Sequence, residues 1–121
     1  MSVPPPSQIA ITGLGCVSAL GGDVTSTWEA LRAGRSARGP LTAIDVDGCR
    51  VTEGAEAILP PWPPGPEKRL RRLSRSTRLA LPAVRQALAG AGLLDANDRC
   101  LLPRLEMSVS TTACGMEKGE E

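Results

Sequence analysis

Gln8 to Ser36 reads QIAITGLGCVSALGGDVTSTWEALRAGRS, and it decides the fold class. Ile9, Ala10 and Ile11 are a short apolar run closed by Thr12. Such a run suits a strand buried on both faces, the kind found in parallel sheets. Gly13-Leu14-Gly15 then forces a tight turn or a close backbone approach. A second glycine pair, Gly21-Gly22, leads to Asp23, a good N-cap whose carboxylate can take the first free N–H groups of a helix. Val24, Trp28 and Leu31 come next, at helical spacing on one face. Gly34 stands where a helix normally stops. Strand, glycine turn and capped helix in this order predict an α/β layered fold.

The rest of the chain is less regular. Met1 to Ser7 reads as a loose, proline-bearing tail. Ala37 to Pro66 has no sustained period and reads as an irregular, Pro-rich insertion or loop, with Val46, Val51 and Ile58 in short strands or turns. Five prolines from Pro60 to Pro66 surround Trp62. They make a stiff spacer with Trp62 against the body, or a ligand for a recognition module. Leu73, Thr77, Leu81, Val84, Leu88 and Ala91 form a stripe at spacings of three and four. This predicts a helix beginning near Ser74 or Ser76 and stopping at Gly92. Pro82 falls inside it and should kink the helix or mark a fresh start. Leu105, Met107 and Val109 alternate with polar residues and predict another strand. Thr111 to Gly115 reads as a small-residue turn, and Met116 to Glu121 as the start of a further helix cut short.

Composition narrows the function. At 121 residues with a net charge of +1, the chain is one domain at most, with no strong field toward nucleic acid or membrane. Phe and Tyr are absent, and Trp28 and Trp62 are the only aromatics, so base-stacking platforms are missing. No apolar stretch approaches the roughly 20 residues of a bilayer span. The N-terminus has neither the basic nor the apolar region of a signal peptide. Cys16, Cys49, Cys100 and Cys114 lack the close pairing of zinc ligands and read as reduced thiols in a cytoplasmic protein. Gly13-x-Gly15-x-x-Ser18 is an incomplete dinucleotide fingerprint, without the third glycine or the later acidic residue. No metal and no cofactor is expected.

The opening segment resembles the N-terminus of the β-ketoacyl-acyl-carrier-protein synthases, the condensing enzymes of fatty acid and polyketide synthesis. Thr12, Gly13, Gly15, Leu20, Gly21, Trp28, Leu31, Gly34 and Ser36 carry the likeness. Arg71, Arg72, Leu73, Ala87, Leu88, Ala91, Gly92 and Leu93 resemble a later segment of the same family. The chain departs from the family at the proline-rich loop, at Pro82 and at Ser76. The resemblance implies a thiolase-like αβαβα layered fold, of which residues 8–121 form part of the first half only, and thus little stability alone. It implies a carbon–carbon bond-forming acyltransferase acting on acyl and malonyl thioesters of an acyl carrier protein. The full-length protein would be a homodimer or heterodimer, and the rest of the synthase domain a partner of this piece.

Within that family a cysteine thiolate takes the acyl group, and two histidines, or a histidine and an asparagine, stabilise the developing charge. The chain has no histidine, so it cannot supply that pair and is expected to be inactive alone. Cys114 lies in a TAC-Gly sequence like the family's nucleophile motif. Its position, after the first strand beyond the AGL helix, fits an earlier glycine turn instead. No catalytic residue is therefore assigned, with Cys114 as nucleophile kept as the alternative. Lys68, Arg69, Arg71, Arg72, Arg75 and Arg78 are six of the chain's 14 cations. Lys68, Arg69, Arg71 and Arg72 are the candidates for docking an acidic carrier protein, against the alternative of a solvated helix start. Two other readings stay open: a non-catalytic partner resembling a chain-length factor, and a standalone interaction module using the proline-rich loop.

Overall fold

The structure is a computed structural model, and it describes residues 9–59 and 73–110. Its elements, in chain order, are helix α1 (Val24–Arg32), strands β1 (Arg38–Pro40) and β2 (Glu53–Ala55), and helix α2 (Arg75–Gly90).

Both helices start and stop where their chemistry dictates. Asp23 caps α1 by accepting from the Ser26 amide at 2.7 Å, while Ser26 Oγ accepts from the Asp23 amide at 3.3 Å, a reciprocal capping box. Ser74 caps α2 by accepting from the Thr77 amide, which selects the first of the two expected starts. At the C-terminus of α1, the Gly34 amide bonds Leu31 O and the Arg35 amide bonds Ala30 O, each at 3.0 Å. Gly92 and Leu93 repeat this pairing on Ala89 O and Leu88 O after α2. These are Schellman stops, and they need a left-handed residue at Gly34 and Gly92, whose φ angles are 63° and 69°.

α2 continues through Pro82 without a fresh start. The proline removes the N–H that would have bonded the Arg78 carbonyl. β1 and β2 pair antiparallel with Arg38 opposite Ala55 and Pro40 opposite Glu53. This ladder lies in a region expected to be irregular. It is braced by the Arg38–Glu53 ion pair at 2.8 Å, and Val46, Val51 and Ile58 fall outside its strands.

Two strand expectations are not met. Residues 9–12 and 105–109 have no ladder partner among the described residues. Ile9 and Ile11 are 94% and 82% exposed, and Met107 and Val109 are 67% and 75% exposed, so the first segment is not buried on both faces. An apolar run becomes a strand only when neighbouring backbone takes up its N–H and C=O groups. Among the described residues Ala30 alone is buried. No described helix is long and apolar enough to cross a membrane.

The expected tail, the proline stretch from Pro60 to Pro66 with Trp62, the turn at Thr111 to Gly115 and the final helix start lie outside the described residues.

Candidate functional site

Two parts of the fold bear on function: the glycine segment that crosses α2, and the N-terminus of α2 with the hairpin beside it. At Gly13, an added Cβ would collide with the Ala87 carbonyl and come within 2.9 Å of the Ala91 amide nitrogen. At Gly15 it would collide with the Ala83 carbonyl and come within 3.0 Å of the Ala87 amide nitrogen. Ala83, Ala87 and Ala91 repeat every four residues, so they stand on one side of α2 and let another backbone reach its surface. The glycine pair therefore serves close packing of chain on helix.

Gln86 lies on the same turn and fixes the loop beyond the glycines. Its Oε1 accepts from the Cys16 amide at 3.2 Å, and its Nε2 donates to Gly22 O at 2.7 Å. Between those points, Ser18 Oγ accepts from the Leu20 and Gly21 amides and shares a hydrogen bond with Thr27 Oγ1 at 3.0 Å. The loop is thus held at both ends from α2 and tied in its middle to α1. A lone glutamine on a helix carries no sequence signal for this role, so Gln86 is not among the residues that the sequence singles out.

Glu56, just beyond β2, goes unmarked in the sequence for the same reason. Its carboxylate accepts from the Ala43 amide at 2.7 Å, the Thr42 hydroxyl at 2.7 Å and the Thr42 amide at 2.9 Å. The Ala43 amide leads in holding its pKa below the usual carboxylate range, followed by the two Thr42 bonds, with a contribution from the Arg75 charge. Arg75, the first residue of α2, donates from Nη2 to Ala57 O at 2.7 Å. A cleft of about 670 Å³ opens between hairpin and helix, lined by Leu41, Ile44, Glu56, Ala57, Arg75 and Leu79 among others.

Of the six-cation run, Arg75 and Arg78 are described. Arg75 is half-buried and turned to the hairpin, and Arg78 is exposed. Lys68, Arg69, Arg71 and Arg72 lie outside the described residues, as does Cys114. Cys16 is half-buried, while Cys49 and Cys100 are exposed, and all three are free thiols. The described residues thus offer surfaces and supports, and they bring together no nucleophile with a base.

Comparison with known proteins gives these elements a context. Residues 6–119 match the family profile "Beta-ketoacyl synthase, N-terminal domain". The chain belongs to the beta-ketoacyl synthase family. Nodulation protein E of Rhizobium sp. (strain N33) is 38% identical over 86 residues, 71% of this chain and 21% of that protein. The "Oxytetracycline polyketide putative beta-ketoacyl synthase 1" of Streptomyces rimosus is 34% identical over 112 residues, 90% of this chain and 25% of that protein. The 3-oxoacyl-[acyl-carrier-protein] synthase 2 of Coxiella burnetii is 32% identical over 110 residues, 90% of this chain and 26% of that protein. The chain therefore spans about a fifth to a quarter of these relatives' length. It matches the N-terminal part of the synthase domain, and the glycine crossing and the hairpin belong to that part.

Proposed function

We propose that these residues are the N-terminal portion of a β-ketoacyl synthase domain with a thiolase-like layered fold. In the intact protein that domain transfers an acyl group to a cysteine thiolate, decarboxylates a malonyl thioester and joins the two units on an acyl carrier protein, in fatty acid or polyketide synthesis. The match of residues 6–119 to the family's N-terminal domain carries this reading. The names of two relatives, a polyketide β-ketoacyl synthase and a 3-oxoacyl-[acyl-carrier-protein] synthase, support it.

The portion within this chain is scaffold and docking surface. The chain has no histidine to stabilise an enolate or oxyanion, so these residues are inactive by themselves. Lys68, Arg69, Arg71 and Arg72 supply positive charge for an acidic carrier protein, acting mainly on encounter and orientation. The intact protein works in the cytoplasm as a homodimer or heterodimer.

The test is condensation by the full-length protein carrying this sequence, with acyl- and malonyl-loaded carrier protein as substrates. Formation of the β-ketoacyl carrier is the expected result. Carrier binding without condensation would instead assign a non-catalytic partner of the chain-length-factor kind. In parallel, an acyl-thioester analogue should label a cysteine beyond Glu121 and leave Cys114 unmodified. Labelling of Cys114 would restore it as the nucleophile.

A further inference from the structure

We propose that Gln86 is the positioning residue that seats α1 on α2. It does so with both ends of a neutral amide, so that a carboxylate of the same shape cannot replace it. This role does not depend on whether the intact protein condenses acyl units.

Among the described residues α1 and α2 share no extended interface. What joins them is the loop from Cys16 to Gly22, which runs straight into the Asp23 cap of α1. On the α1 side, Thr27 Oγ1 meets Ser18 Oγ at 3.0 Å and the Gly21 carbonyl at 3.4 Å. On the α2 side, half-buried Gln86 reaches the two ends of the loop, the Cys16 amide and the Gly22 carbonyl. Each of these partners is a main-chain group of fixed role. The Cys16 N–H can only donate and the Gly22 carbonyl can only accept, so the amide fits one way round. A glutamate keeps the length and the acceptor, but when ionised it turns a second lone pair toward the Gly22 carbonyl. Its protonated form has the O–H which that carbonyl needs. Ionisation is therefore disfavoured at this position, and a glutamate here titrates above its ordinary value. The titratable groups around it are Cys16, Asp23 and Arg85. Asp23 stays charged through that range because the Ser26 amide holds its pKa low. Arg85, next along the helix, is taken up by Asp98.

The experiment is amide exchange on the full-length protein, read relative to an unstructured peptide at the same pH. It follows Cys16, the Leu20 and Gly21 amides bonded to Ser18, and the Ser26 amide bonded to Asp23. Gln86→Met keeps the bulk and removes both hydrogen bonds. It should lower protection at these amides by about two- to tenfold, the weight of one hydrogen bond. Gln86→Glu should keep Cys16 protected at neutral pH and lose protection at Leu20, Gly21 and Ser26. That protection should return as pH falls through the raised glutamate value, whereas the wild type should show no gain on acidification. Unchanged protection in Gln86→Met overturns the positioning role. Wild-type protection in Gln86→Glu at neutral pH, or no recovery with acid, overturns the need for a neutral amide. Should Gln86→Met fail to fold, the acid recovery of Gln86→Glu still decides whether both ends of the amide hold the loop.

Discussion

At Gly13 and Gly15 the chain lies so close to the α2 backbone that a single methyl group has nowhere to go. Gly13→Ala should therefore cost on the order of 1–3 kcal/mol, the range for overpacking a tight contact. Urea unfolding of the full-length protein would read it as a lower midpoint. Glu56 supports a pH prediction. Its pKa in the folded chain is depressed below the ordinary glutamate value of 4.5, so its stabilisation is present above that value. It is lost as pH falls through the depressed value. Protection of the Thr42 and Ala43 amides, read as exchange relative to an unstructured peptide at the same pH, should fall on acidification in the wild type. In Glu56→Gln it should be low already at neutral pH and show no such acid step. The glycines are legible in the sequence as a need for close approach, because only Gly tolerates it. Glu56 and Gln86 are not, because their partners, mostly backbone groups, lie 13 to 70 residues away.

At the scale of the elements, the sequence marks the helices far better than the strands. Asp23, Ser74, Gly34 and Gly92 act through neighbours within five residues, so their signals are local and survive in a bare sequence. A strand is completed by distant backbone, and 9–12 and 105–109 find none among the described residues. The small hairpin leaves no mark because three-residue strands are too short for an alternating pattern. The α2 stripe is half legible. The sequence pattern picks out Leu81, Val84 and Leu88, while the tight crossing uses Ala83 and Ala87 beside them. Pro82 gives the test at this scale. Pro82→Ala returns an N–H to the Arg78 carbonyl and removes a ring from mid-helix, so α2 should gain about 1–3 kcal/mol. Circular dichroism should record higher helix content and a higher melting temperature.

For the whole molecule, the informative quantity is how little is hidden. With Ala30 alone buried among the described residues, the apolar area removed from water is small beside the conformational entropy of ordering the chain. The isolated 121 residues should melt over a broad range with little cooperativity. Within the full-length protein the same residues should share one sharp transition. Calorimetry of both forms checks this, and a sharp transition in the short form would refute it. Family membership is legible from Gln8 to Ser36 because its glycines and caps are tied to fixed positions. Catalytic partners are not, since no histidine is present to mark them.

The crossing of Gly13 and Gly15 over α2 also governs which changes of length this region can absorb. Ala83 and Ala87 meet the glycines, and Gln86 between them grips the adjoining loop, all within two helical turns. One inserted residue rotates everything after it by about 100° around the helix axis. An insertion between Ala83 and Gln86 would swing the loop's clamp and half of its bearing surface away together. One placed after Gly92 would disturb neither. Natural or engineered variation in chain length should gather in the Asp95–Arg99 turn and spare this stretch of helix.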